Sequence, residues 1–231
     1  MVATRDTRVI RLTLAEQIED ALRADIMEGT LVPGERLRPG DLAQQYGVSS
    51  APLREALQRL AAQKLIYLDP RMGATVADVS QSDLRDIYSM RLVLESMALE
   101  RSMAMADGSW LERVDESWEA FSKSAEPPQE PEDERTARSA SIAYANAHRA
   151  FHEALFSACD SPLLTHFVHT LYDNSERYRT INATARGLQT IHEHGSIYEP
   201  AIAGRKKEAL AALKKHIEAA VSSIEEGLTA A

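Results

Sequence analysis

The chain has 231 residues, a net charge of −9 and a single cysteine, Cys159. That length leaves room for one large or two modest hydrophobic cores, and the lone thiol excludes an internal disulfide and fits a reducing compartment. The acidity is uneven: residues 1–78 hold ten basic and eleven acidic side chains, and the rest holds sixteen and twenty-four, so the overall sign does not exclude a nucleic-acid partner for the first part.

No apolar run approaches the about 18 residues that span a bilayer, and no membrane partner is expected. The opening MVATRDTRVIRL lacks the apolar middle and cleavage region of a signal peptide, which points to the cytoplasm. From Leu12 to Met27 a helical stripe runs through Leu14, Ala15, Ile18, Ala21, Leu22 and Ile26. EGTLVPGERL breaks it at Gly29, Pro33 and Gly34. A short helix follows Pro39, Gly47 supplies a turn, and Ser49 or Ser50 caps a longer helix through about Gln63. Leu53, Leu57 and Leu60 lie along one face of that helix. LIYLDPRMGATVADV then holds two β-prone runs, 65–68 and 74–79, separated by Asp-Pro-Arg-Met-Gly. Two helices joined by a glycine turn and followed by a hairpin predict a winged helix-turn-helix; the plainer alternative is a three-helix bundle with an incidental hairpin.

Function follows from that geometry. The start of a recognition helix faces base edges, while its flanks and the wing meet phosphate and minor groove. Ser49 and Ser50 stand at that start and Arg54 one turn further in. Arg71 sits at the wing tip, where Gly73 lets the backbone approach DNA closely; Arg36 and Arg38 precede the short helix, within reach of phosphates. Each arginine taken alone is an ordinary solvated charge, so the grouping carries the reading.

Beyond Ser80 the chain is helical almost without interruption. One helix begins at Ser80 or Ser82, and a second runs from about Ser109 to Ser122 with Trp110 and Trp118. SAEPPQEPEDERTARS reads as a surface loop, being rich in proline and acid. Four more helices are predicted at about 138–159, 162–182, 187–203 and 205–228, with Pro162 suiting a start and Gly204 a break. The expected fold is therefore mainly α: a winged helix-turn-helix DNA-binding domain over 1–79, then an antiparallel all-α bundle of about six helices over 80–231.

In HRAFHEALFSA, His148 and His152 lie one turn apart, on a face shared with Phe151 and Leu155. His194 shares a face with Ile191, Ile197 and Ala201, and His216 lies beside Ala212, Leu213 and Ala220. Four of the seven histidines thus lean inward from three helices. Buried imidazoles need partners. A divalent cation is an economical one, since imidazole suits zinc, nickel and copper; packed or surface histidines are the plainer alternative. His166, His169 and His192 fit no such pattern.

LVPGERL…DLAQQYGVSSAPLREALQRLAAQKLIYLDPRMGATV resembles the winged-helix domain of the GntR family of bacterial transcription regulators. The family usually places Arg-Thr after Val-Ser, where this chain has Ser50 and Ala51, so a guanine-reading arginine is missing and a different operator is implied. MRLVLE at 90–95, FHEALFSACDSPLL at 151–164, RYR at 177–179 and EHGSIYEPAIAGRKKEALAALKKHIE at 193–218 resemble the FCD domain of the FadR subfamily, in its shorter, VanR-like form. That resemblance implies a homodimer on a palindromic double-stranded operator. It also implies a metal held by an aspartate and three histidines. His152, His194 and His216 match the histidines, and His148 stands where the pattern Asp-x-x-Phe-His has its aspartate, either as a fourth ligand that favours zinc or nickel or as a side chain too long to coordinate. The implied effector is a small carboxylate: an organic acid, a sugar acid or a fatty-acid derivative. Arg91 matches the family arginine that pairs with it, unless it is spent on Glu95 one turn on; Arg177 and Tyr178 are further pocket candidates.

Two other functions compete. A metal-sensing regulator would use the cation itself as signal. A metal-dependent hydrolase is disfavoured because HRAFH lacks the internal glutamate of His-Glu-x-x-His enzymes, while Glu153 and Glu193, though next to ligands, are expected on other faces. The expectation is a regulator and not an enzyme.

Overall fold

A computed structural model describes residues 12–69, 73–124, 134–179 and 187–230. The chain divides into two compact units, Met1–Asp78 and Val79–Ala231.

In the first unit, α1 (Leu14–Met27) opens with a capping box. Thr13 Oγ1 accepts from the Glu16 amide, and Glu16 accepts from the Thr13 amide at 2.7 Å, which satisfies donors that a helix start leaves open. β1 (Arg36–Leu37), α2 (Pro39–Gln45), α3 (Ser50–Ala62), β2 (Ile66–Asp69) and β3 (Gly73–Val76) follow. The sheet is antiparallel in the order β1-β3-β2, with Arg36 opposite Thr75 and Asp69 opposite Gly73. The hairpin is as expected, whereas β1 falls within EGTLVPGERL, where the sequence shows only a break. Two residues carry no periodicity, and their pairing with β3 is a long-range event. Ile18, Leu22, Leu53, Leu57 and Leu60 meet Leu37, Ile66 and Val76 in one core.

Both helices of the helix-turn-helix end alike. Val48 N–H bonds the Ala43 carbonyl across Gly47, and Leu65 N–H bonds the Leu60 carbonyl across Lys64. This closure needs a left-handed residue. Gly47 supplies φ 64° at no steric cost, while Lys64 adopts φ 60° against one.

The second unit contains, among the described residues, α4 (Gln81–Ala104), α5 (Gly108–Ser124), α6 (Glu134–Phe156), α7 (Pro162–Arg179), α8 (Gly187–Ile202) and α9 (Lys206–Ala230). Ser80 caps α4 by accepting from the Asp83 amide at 3.1 Å. Helix α6 begins at Glu134, so the end of the predicted loop, ERTARS, is helical. Beyond Pro131 that stretch contains no breaker, and the acid-rich composition masked its helix formers. Helix α4 packs on α6, α7 and α9, α5 on α6 and α8, and α8 on α9. The core holds Trp110, Phe121, Phe151, Leu155, Ile197 and Leu213, all essentially inaccessible. Among the described residues no helix is long and apolar enough to cross a membrane.

Candidate metal centre and nucleic-acid interface

Four imidazoles meet inside the second unit. His148 and His152 come from α6, His194 from α8 and His216 from α9, and one ligand atom of each lies within 4.8 Å of the others. The convergence is tighter among three of them. His148 Nε2 is 2.8 Å from His194 Nε2, His152 Nε2 is 3.0 Å from His194 Nε2, and the His148–His152 pair is 3.2 Å apart. Phe121 and Phe151 lie against the imidazoles, with Phe121 5.0 Å from the His194 ring. The helical spacing of apolar positions put these histidines on inward faces; helix packing brought the three faces together.

Hydrogen bonds identify which nitrogen carries a proton. His194 Nδ1 lies 2.6 Å from the Thr190 carbonyl oxygen. A carbonyl only accepts, so Nδ1 donates and the neutral ring turns a bare Nε2 lone pair into the cluster. His216 Nδ1 faces Glu193 Oε2 at 3.3 Å, the carboxylate–histidine pairing that orients metal ligands. Glu193 is therefore part of the site, against the expectation that it points elsewhere: His216 lies on a different helix, and that contact has no signature in local spacing. Glu153 instead pairs with Arg149.

The donor set fits a cation. Bonds of about 2.0–2.1 Å to a shared metal separate two nitrogens by about 2.8 Å at right angles and about 3.4 Å at the tetrahedral angle; the observed 2.8, 3.0 and 3.2 Å fall in that window. The three Nε2 atoms face one another, and facing lone pairs repel unless a proton or cation lies between them; His152 Nδ1, the ring nitrogen outside these contacts, is buried with no hydrogen-bond partner among the described residues. Burial first, and then the charge of neighbouring imidazoles, holds His152 and His194 well below the usual histidine value of 6.5. Both are neutral at pH 7, the form that ligates metal.

Arg91 is next to this cluster but already engaged. Its Nε lies 2.6 Å from Glu95 Oε1 and Nη1 donates to Ser175 Oγ at 2.8 Å, with both partners of the ion pair buried. The structure employs Arg177 and Tyr178 elsewhere than expected. The Tyr178 hydroxyl donates to Asp83 at 2.7 Å and bonds the Ser80 backbone, and Arg177 pairs with Asp83 at 3.2 Å. They tie α7 to the first turn of α4, because an inward-facing polar side chain looks the same in sequence whether it holds a ligand or a helix end. Sequence reasoning also missed Tyr172, whose hydroxyl is 2.9 Å from His148 Nδ1.

In the first unit, Ser49 is the N-cap of α3 with extended backbone (φ −81°, ψ 164°), and its hydroxyl makes no capping bond. Ser49, Ser50 and Arg54 are exposed, as are Arg36 on β1 and Arg38 ahead of α2. Arg59 differs: it ties α3 to α1 through Glu16 and Glu19. Gly73 has φ 87° at the start of β3, and Arg71 lies outside the described residues. The exposed start of α3, where the Ser49 hydroxyl makes no capping bond, suits an anionic partner.

A winged helix followed by a helical bundle defines a class, the DNA-binding transcription regulators that carry a helical C-terminal domain. Two family models match the chain: bacterial regulatory proteins of the gntR family over residues 14–76, and the FCD domain over residues 86–219. The transcriptional regulator BphR of Paraburkholderia xenovorans (strain LB400) is 36% identical over 217 residues, covering 92% of this chain and 85% of BphR. The repressor GlaR of Escherichia coli (strain K12) is 32% identical over 162 residues, covering 69% and 70%. The solved structure of E. coli McbR/YncC has the same fold, with a TM-score of 0.77 over 94% of this chain and 99% of that one at 22% identity. The chain belongs to the GntR family, as a DNA-binding transcription regulator with an FCD domain. Its family and relatives are regulators, not enzymes.

Proposed function

We propose that this regulator is a cytoplasmic homodimer that represses by binding a palindromic operator through residues 1–79, and that a small carboxylate, held beside a divalent metal in residues 80–231, releases it from DNA. The observation that carries the reading is the convergence of His148, His152, His194 and His216. The four imidazoles supply the donors, the Thr190 carbonyl and Glu193 orient two of them, and Phe121 and Phe151 shield them from water. An all-imidazole set favours zinc or nickel over the hard cations that prefer oxygen. When bound, such a cation supplies positive charge and open coordination positions to an acidic ligand. On DNA, Ser49, Ser50 and Arg54 face base edges and Arg36, Arg38, Arg71 and the Gly73 backbone meet phosphates, the division usual for a winged helix. That GlaR is a repressor supports the direction of control.

One observation favours a second reading, metal sensing. Arg91 is committed to buried Glu95, so a carboxylate effector must displace that pair or bind by the metal alone. The test is the metal content of the purified protein by elemental mass spectrometry, beside His152→Ala, followed by mobility shifts on the operator with and without carboxylates. About one metal per chain, lost in the variant, supports the site, and release from DNA by a carboxylate supports the effector. A protein that takes up neither zinc nor nickel refutes the metal reading. DNA binding that responds to metal and to no carboxylate leaves metal sensing.

A further inference from the structure

Replacing aspartate by histidine at position 148 changes more than softness. A carboxylate needs no particular proton arrangement to ligate, whereas an imidazole ligates through Nε2 only when its proton sits on Nδ1. The group facing His148 Nδ1 therefore decides whether this residue can join the donor set. That group is the Tyr172 hydroxyl on α7, at 2.9 Å.

Tyr172 is 5% exposed. The guanidinium carbons of Arg91 and Arg149 lie 5.2 and 5.1 Å from its ring centroid, and Arg149 is itself held by Glu153 and Asp173. The contrast with His194 is informative. A carbonyl accepts only, so Thr190 commits His194 to one tautomer; a hydroxyl donates or accepts, so Tyr172 permits both at His148. Without metal, the hydroxyl donates to Nδ1, the His148 proton sits on Nε2, and that N–H points at the lone pair of His194 Nε2, 2.8 Å away. In this arrangement the contact is a hydrogen bond and not two facing lone pairs. With metal, the hydroxyl turns to accept from Nδ1–H and Nε2 presents a lone pair to the cluster. One proton leaves Nε2 for solvent and one is taken up at Nδ1, so the ring stays neutral.

We infer that Tyr172 is a positioning residue whose reversible hydroxyl lets His148 alternate between closing the metal-free cluster and completing the metal's donor set. The inference rests on the metal reading above. Its test uses the full chain. Long-range ¹⁵N imidazole spectra report each histidine's tautomer without and with zinc, and zinc affinity is read by competition with a chromophoric chelator. His148 is expected to carry its proton on Nε2 in the metal-free protein and on Nδ1 in the zinc-loaded one. Tyr172→Phe should retain one zinc per chain and bind it about 10–100-fold more weakly. In a His148→Ala background the same change should cost about twofold or less, as expected for uncoupled groups.

Wild-type affinity in Tyr172→Phe, or an undiminished loss in the His148→Ala background, overturns the inference and leaves the metal site standing. A wild-type protein that binds no zinc overturns both. If Tyr172→Phe does not fold, the wild-type spectra still decide, since an Nδ1 proton on His148 in both states removes the alternation.

Discussion

Acidification offers a test that needs no ligand. His152 and His194 are buried and neutral, with their titration pushed well below 6.5. Unfolding exposes both and restores the ordinary value, so below pH 6.5 the unfolded chain binds more protons than the folded one and stability falls. Above about pH 7 the contribution is constant. Each histidine that stays neutral in the fold one pH unit below its ordinary value costs on the order of 1 kcal/mol there, so the loss grows as the pH falls from 6.5 to 5.5. Both tryptophans, Trp110 and Trp118, and all seven histidines lie in the second unit. Urea unfolding of chelator-treated protein, followed by tryptophan fluorescence, therefore reads the affected unit alone. The denaturation midpoint should hold steady from pH 8 to 7 and drop between 6.5 and 5.5, and His152→Phe should remove about half of the drop. A midpoint that does not move across that window would refute the argument that these imidazoles are neutral because they are buried.

Zinc should act in the opposite sense on the same fluorescence transition. At a free concentration about 1,000 times the dissociation constant it should add about 4 kcal/mol, and an equal gain in His152→Ala would contradict the assigned ligands. Arg54→Ala should weaken binding to a selected operator by about 1–3 kcal/mol if it reads a base, and uniformly across sequences if it holds a phosphate; fluorescence anisotropy on operator and random duplexes separates these, and unchanged binding to both removes Arg54 from the interface. Lys64→Gly should stabilise the winged-helix unit by about 0.5–1 kcal/mol by relieving the left-handed backbone at the end of α3, measured as slower hydrogen exchange in α3; faster exchange there would show that the strain argument fails.

What could be read from the chain and what could not divide along a physical line. Helices declare themselves locally, by a 3.6-residue stripe and a cap, so α1, α3 and the six helices beyond Ser80 were legible to within a few residues, and so was the inward lean of His148, His152, His194 and His216. The two-residue β1 has no period to show and exists only because β3 lies beside it. Contacts between helices are of the same kind. Glu193 reaches His216 23 residues away and Tyr172 reaches His148 across 24, and nothing in either local pattern records the pairing. Arg177 and Tyr178 show the same limit from the other side: their inward orientation was legible, but their contacts with Asp83 on α4 were not.

The departure at position 148 ties these strands together. Placing an imidazole where the resemblance to the FCD domain implies an aspartate puts a neutral ring for a negative charge in a part-buried site, and a structure that could not compensate would leave an unpaired ring nitrogen on each side. Here both nitrogens have partners: Nε2 meets His194 and Nδ1 meets Tyr172. Both ring nitrogens of His148 are thus held, which fits the place proposed for it in the histidine cluster.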